Sequence, residues 1–346
     1  MTVDTVSVVI PVYNSAPFLP SCLDSMLSQT YPDIEILLIE NGSTDDSPRI
    51  CERYARQDAR IRLLQGPHTG PGAARNCGID AAAGRYVVFV DSDDLCEPEL
   101  VERLASAGAG KDATLALCGI QVMDEDGLFT ETFAEAPASC TIREYVAGPL
   151  AKWGSNPLCG AVYCKLFDIR ILRDHHIFFE EDTSYAEDFC FNMAYLRHME
   201  NVIILPDLLY RYRCGRKGSV TEKNLRDSEF SPMWQRRLEV IRMYEDVYAF
   251  FGMSERCAPT VAAFRWLQMA DMITLAVRRT PDYPSFHADM EILRNDRKGH
   301  EVPAGIPARA RLSLRLLLSR HDRILWQYEY IRKKIRTMRG RERWGT

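Results

Sequence analysis

No stretch of this 346-residue chain approaches the roughly 18 apolar residues that a membrane-crossing helix needs; its longest apolar runs, such as Tyr86-Val-Val-Phe-Val90, are strand-sized. Met1-Thr-Val-Asp4 has no basic stretch ahead of an apolar one, so no secretory leader is expected and the chain is read as cytoplasmic. The 11 cysteines are odd in number and contain no Cys-x-x-Cys pair, which gives no sign of a zinc site, a redox motif or a disulfide framework. Also missing is a Gly-x-Gly-x-x-Gly after the first strand, where Tyr13-Asn-Ser-Ala16 stands instead. That absence disfavours a dinucleotide-dependent oxidoreductase, and the lack of any Gly-rich loop there disfavours a sugar nucleotidylyltransferase. With 46% hydrophobic and 26% charged residues, the composition excludes disorder and collagen-like repeats.

What is present is a strand-helix alternation. Val6-Ser-Val-Val-Ile-Pro-Val12 reads as a strand buried on both faces, and Leu19, Cys22, Leu23, Met26 and Leu27 recur at helical spacing after it. Strands follow at 34–39, 61–64 and 86–90. Between them lie a helix capped by Ser47 and starting at Pro48, and an Ala-rich helix reaching about Ala83. The expected fold class is α/β, a doubly wound and mostly parallel sheet with a C-terminal helical extension. The expected divisions are 1–105, 106–223 and 224–346. Ligands of such sheets bind beyond the carboxyl ends of the strands. Tyr13-Asn14, Glu40 to Asp45 and Asp91 to Asp94 all fall there.

Asp91-Ser92-Asp93, read as extended chain leaving a buried strand, would put two carboxylates on one side. Two hard oxygen donors suit Mg²⁺ or Mn²⁺, which would neutralise charge on a departing diphosphate. Plain turn formation and helix capping is the competing reading. Arg75 follows Gly70-Pro-Gly72 at the start of a helix, where phosphate is attracted; a solvated helix charge is its alternative. His68 is read as a surface residue.

Five segments occur in order within residues 8–94: Val8-Val-Ile-Pro-Val-Tyr-Asn14, Ser25-Met-Leu-Ser-Gln-Thr-Tyr31, Glu35-Ile-Leu-Leu-Ile-Glu-Asn-Gly-Ser-Thr-Asp45, Ala74-Arg-Asn-Cys-Gly78 and Tyr86-Val-Val-Phe-Val-Asp-Ser-Asp-Asp94. Together they resemble family 2 glycosyltransferases of the GT-A fold. The resemblance implies an inverting enzyme that takes a sugar from a nucleotide-diphosphate donor and uses a divalent metal. It implies that Pro11 and Tyr13 flank the nucleobase, that Asn41 faces its polar edge, and that Arg75 sits near the nucleotide. Asp91 and Ser92 would lie near the ribose or sugar, and Asp93, with Asp91, at the metal. The family usually carries Asp-Asp where this chain has Glu40-Asn41. The second acid accepts from the uracil N–H; an Asn can accept too, but it also donates and has no charge, so the implied uridine preference is weakened.

Further along, Ser184-Tyr-Ala-Glu-Asp-Phe189 opens a helix. Ser184 with Glu187 fits a capping box. In the family a Glu-Asp pair at this point lies near the acceptor, which implies Asp188 as general base, with simple helix N-terminal charge as the alternative. Glu180, Glu181 and Asp182 read as a solvated loop. Val162-Tyr-Cys-Lys165-Leu-Phe167 partly matches a stretch preceding that helix in bacterial members and is expected to support the acceptor side. Arg211 to Ser219 reads as a basic loop, either closing over the diphosphate or merely exposed.

The end of the chain is basic. Residues 305–346 carry 12 Arg and Lys against three acids, a net +9 within a chain of net −5. Trp234, Leu238, Ile241, Trp266, Met269 and Ile273 recur at helical core spacing, and prolines 281, 284, 303 and 307 suggest a linker. Leu312, Leu316, Ile324, Leu325, Tyr328 and Ile331 then alternate with cations. This pattern fits a basic amphipathic helix on anionic lipid, or an ordinary helix packed on the body; no nucleic-acid motif accompanies it. The sequence thus points to glycosyl transfer onto a glycan or lipid-linked acceptor. A nucleotide-sugar- or carbohydrate-binding protein without turnover is the alternative.

Overall fold

The aliphatic run at the start of the chain forms β1 (Val6–Val12), buried along nearly its whole length. β2 (Ile34–Glu40) and β4 (Tyr86–Phe89) pair with it in parallel on either side, and β3 (Ile61–Gln65) lies outside β2. The computed structural model describes residues 4–151, 157–181, 185–215, 229–279, 282–296, 302–303 and 306–338, and the chain divides into two compact units, Met1–Arg216 and Lys217–Thr346.

The alternation along β1 builds two layers. Val6, Val8, Ile10 and Val12 pack with Leu19, Cys22, Leu23 and Met26 of α1 (Leu19–Leu27) and with Ile50, Cys51 and Tyr54 of α2 (Ser47–Gln57). On the opposite face α3 (Pro71–Ala81) lies against β1 at Gly78. An added Cβ there would come within 2.3 Å of Val9 Cγ1, so the approach requires glycine. The expected Ser47 cap is not formed. Asp46 is the N-cap, Ser47 is in the first turn, and Ser47 Oγ accepts the Ser15 N–H at 3.0 Å.

The rest of this unit adds β5 (Leu95–Cys96), α4 (Leu100–Gly108), β6 (Thr114–Met123), β7 (Phe129–Phe133), β8 (Ala138–Thr141), α5 (Ile142–Ala147), β9 (Lys165–Asp168), α6 (Ile169–Asp174), α7 (Glu187–Leu196) and β10 (Asn201–Arg213). The strand order is β3-β2-β1-β4-β9-β6-β10-β5, with β7 on β6 and β8 on β10. β9 enters antiparallel between β4 and β6, and β6 and β10 run parallel. The α/β expectation holds, with the parallel part concentrated in β1 to β4. A hairpin at Asp124 to Gly127 joins β6 to β7, Asp124 Oδ1 accepting the N–H groups of Asp126 and Leu128. Arg211 and Arg213 belong to β10, not to a basic loop; residues 216–219 of that stretch lie outside the described residues.

The second unit is helical: α8 (Phe230–Phe250), α9 (Ser254–Arg279), α10 (Tyr283–Asn295), α11 (Ala308–Leu318) and α12 (Asp322–Met338). Trp234, Leu238, Ile241 and Tyr244 of α8 and Trp266, Met269 and Ile273 of α9 are buried, as their spacing requires. The linker expectation is overturned at α10. Pro284 occupies its first turn, where a missing N–H costs nothing, and Asp282 caps it by accepting the Ser285 N–H at 2.9 Å. Pro281 lies outside the described residues. Among the described residues no helix is long and apolar enough to cross a membrane.

Candidate active site

Strand order changes direction at β1 and β4, and the crevice beyond their carboxyl ends gathers the polar residues. At the end of β1, Pro11 is half-buried and Tyr13 is 44% exposed. Asn14, at φ 47°, accepts the Thr44 N–H through Oδ1 at 2.7 Å and so stitches the ends of β1 and β2 together. Glu40 is buried and accepts from Ser43 N–H at 2.6 Å and Gly42 N–H at 3.2 Å, which shapes the turn.

Asn41 is also buried, and both halves of its amide are used inside the protein. Its Nδ2 donates to the Gly70 carbonyl at 3.0 Å, and its Oδ1 accepts the His68 N–H at 2.8 Å. Asn41 therefore braces the loop from Gly66 to Gly70. That satisfies a buried amide; it uses one of the two N–H groups and one of the two oxygen lone pairs, so it is compatible with the expected role at a nucleobase edge. Gly70, at φ 134°, opens α3, whose N-terminus has no side-chain cap. His68 is exposed, as expected.

Asp91 to Asp94 do not continue as extended chain. The Asp94 N–H donates to the Asp91 carbonyl at 3.0 Å and closes a turn, so the carboxylates are arranged by that turn instead of by strand alternation. The turn is held from β10. The Tyr210 hydroxyl donates to Asp94 Oδ2 at 2.6 Å and accepts the Asp91 N–H at 3.0 Å. Asp94 Oδ1 accepts the Arg213 N–H, and Arg213 Nε donates to the Asp93 carbonyl at 3.0 Å. Tyr163 stacks on Tyr210, ring centroids 4.5 Å apart. Burial, with Asp93 and Asp91 beside it, pushes the Asp94 carboxyl well above its ordinary value. Ser92 is buried, whereas Asp91 and Asp93 are half-buried and reach solvent.

Arg75 is the centre of the arrangement. Only 4% exposed, it is no solvated helix charge. Its Nη2 donates to Asp91 Oδ1 and its Nη1 to Asp188 Oδ1, both at 2.8 Å, and Glu187 Oε1 lies 3.7 Å from Nη1. The guanidinium also covers the Phe179 ring at 5.3 Å. Its Nε is buried without a partner among the described residues. The next residue, Asn76, exchanges two hydrogen bonds with the Phe179 backbone, at 2.9 and 2.8 Å. α3 thus ties β1 and β2 to the segment that leads into α7. Asn76 also donates to Glu181, which is therefore more than a solvated loop residue; Asp182 lies outside the described residues.

Ala186, in the left-handed region at φ 59°, is the N-cap of α7 and makes no side-chain cap bond. The capping box expected of Ser184 with Glu187 involves a residue outside the described ones; Glu187 itself faces Arg75. Asp188 is positioned by Asn192, one turn on, whose Nδ2 donates to the Asp188 carbonyl at 2.8 Å and to the Gly160 and Ala161 carbonyls. Lys165, fully buried, donates to the carbonyls of Leu158 and Ala161. Burial and the neighbouring Glu187 and Asp91 raise the Asp188 carboxyl to about 7, against the lowering pull of Arg75 and Lys165. Tyr210 and Asn192 carried no signal in the sequence and Arg213 showed only as part of a basic stretch, because their roles arise from strand and helix pairing.

Asp91 and Asp93 fit a divalent metal. They offer hard oxygen donors on the solvent side of the turn, while Asp94 is spent on Tyr210 and Arg213. The nearest soft donor, Cys22, is pushed well up by burial and by these aspartates, and so stays a neutral thiol.

The family model "Glycosyl transferase family 2" matches residues 7–151, from the start of β1 to beyond the acidic turn. The uncharacterized glycosyltransferase EpsJ of Bacillus subtilis is 30% identical over 283 residues, covering 81% of this chain and 80% of that one. Glycosyltransferase GlyG of Streptococcus pneumoniae is 31% identical over 240 residues, 67% of this chain and 76% of its own. Among solved structures, Staphylococcus aureus TarS 1–349 in complex with UDP-GlcNAc superposes with a TM-score of 0.64 at 21% identity, covering 97% of this chain and 92% of that one. Mannosyltransferase PcManGT of Pyrobaculum calidifontis, in complex with GDP-Man and Mn²⁺, gives 0.53 at 16% identity, with 97% and 88% covered. Those two likenesses establish the fold. The likeness to EpsJ over four-fifths of both chains goes further, and this chain belongs to glycosyltransferase family 2.

Proposed function

We propose that the enzyme moves a sugar, with inversion, from a nucleotide-diphosphate donor to a hydroxyl of a glycan or lipid-linked acceptor at the cytoplasmic face of a cell membrane. The observation that carries this reading is the single buried guanidinium of Arg75 holding Asp91 and Asp188 on adjacent nitrogens. One carboxylate belongs to the acidic turn, the other to the helix expected beside the acceptor. Asp188 takes the acceptor hydroxyl proton as the hydroxyl oxygen attacks the anomeric carbon; its raised pKa makes it a competent base near neutral pH. Tyr13 and Pro11 would lie along the nucleobase, and the open N-terminus of α3 toward the diphosphate. Asp91 and Asp93 would hold Mn²⁺ or Mg²⁺, whose charge would stabilise the leaving diphosphate. A UDP-sugar is the favoured donor, by the family resemblance and not by Asn41.

A panel of UDP- and GDP-sugars incubated with Mn²⁺, with released nucleotide measured, tests the reading. Turnover of one donor class that falls to background on EDTA is the expected result; nucleotide binding without turnover of any donor would favour a binding protein. The pH dependence is a second test. The base must be ionised, and its pKa is raised, so kcat/KM rises with pH across about 6 to 8 and levels above. Glu187→Gln removes one like charge beside Asp188, so the rise moves to lower pH; an unmoved profile would mean that another group is titrating.

A further inference from the structure

α12 is buried on one side and built for something else on the other. Leu325 and Glu329 face inward, with the Asp322 side chain also buried. Arg323, Ile324, Gln327, Tyr330, Ile331 and Lys334 share one exposed arc at helical spacing. Ile324 and Ile331 are 52% and 56% exposed, an unusual state for large aliphatic residues one helical face apart. Tyr330 stacks on Trp326, centroids 5.5 Å apart, and lies under the Lys334 ammonium at 5.0 Å. The outer side of α11 repeats the composition, with Leu312 exposed between Arg309 and Arg315.

The acids settle the charge of this surface. Asp322 is paired with Arg294 and His287, and Glu329 accepts from Arg332 and from Ser313 Oγ, all within the unit. No other acid occurs from Ala308 to Met338, so these exposed arcs carry cations and apolar groups and no carboxylate. An ordinary solvated helix face mixes both signs. Packing within the helical unit and contact with a second phase are thus both accommodated, on opposite sides of the same helix.

We infer that the outer faces of α11 and α12 form a docking surface for an anionic phospholipid bilayer, with Ile324, Ile331 and Leu312 entering the headgroup boundary and Arg323, Arg315 and Lys334 meeting lipid phosphate. Long cationic side chains reach outward past an apolar body, and aromatic rings favour that boundary. The inference builds on the membrane placement proposed above. Vesicle binding and donor turnover are separate measurements, so either can fail alone.

The full chain is sedimented with vesicles of phosphatidylcholine alone and with about one-third phosphatidylglycerol. Binding only to the anionic vesicles, weakening as salt is added, is expected. Ile324→Ser with Ile331→Ser lowers partitioning by about tenfold or more. Arg323→Gln and Lys334→Gln each lower it by about fivefold. All four changes are on the surface, so thermal melting and hydrolysis of soluble donor stay as in the native chain. Equal binding to neutral vesicles, or native binding by the isoleucine pair, overturns the inference. So does a dimer or an oligonucleotide complex that those variants abolish while no vesicle is bound.

Discussion

Asp188→Asn lowers kcat for transfer by about 10³-fold, some 4 kcal/mol of transition-state stabilisation, while donor affinity changes by no more than about twofold. The amide has nearly the volume of the carboxylate, and its oxygen can still accept from Arg75 Nη1, so the turn, α3 and α7 keep their positions. What it cannot do is take a proton from the incoming hydroxyl. The measurement is a pair: single-turnover transfer for the chemical step and calorimetry for the nucleotide. Unchanged turnover removes Asp188 from the reaction. Equal losses of turnover and donor binding make it a structural partner of Arg75.

Arg75→Met has a different signature, because it harms stability as well as rate. The substitution keeps an apolar stem but removes two charge-assisted hydrogen bonds from a buried site where three carboxylates converge. A loss of about 3 kcal/mol in unfolding free energy is expected. Its pH dependence has a definite sign. Without the guanidinium, Asp188 is raised further above its unfolded value, so the native state binds protons more tightly than the unfolded chain does. The deficit from Asp188 is then small below about pH 6, where its carboxyl is protonated in both folded proteins, and grows as pH rises through the native enzyme's value of about 7. Denaturant melts at pH 5 and pH 8 check it; a deficit independent of pH would mean that lost packing on Phe179, and not stranded charge, is the cause. Transfer should fall at least as far as in Asp188→Asn.

The sheet was the most legible part of this molecule. Runs such as Val6 to Val12 and Ile34 to Ile39 state their burial directly, and the acidic segment after β4 stands where a parallel sheet places its ligands. Three things were not legible. Prolines at 281 and 284 look like a break until it is known that Pro284 sits in a first turn capped by Asp282. Asp91-Ser92-Asp93 looks like continuing strand because the force that bends it, Tyr210 and Arg213, comes from well over a hundred residues later. That the Asn41 side chain braces its own loop could not be read from sequence, because its partners are in the backbone of residues 68 and 70.

That last feature bears on how donor choice can change in descendants of this chain. One N–H and one oxygen lone pair of Asn41 go to the loop beside it, so nucleotide preference depends on that loop's shape together with this position. Grafting residues 66–70 from relatives with other donors, with Asn41 left in place, is therefore the direct route to retuning this enzyme.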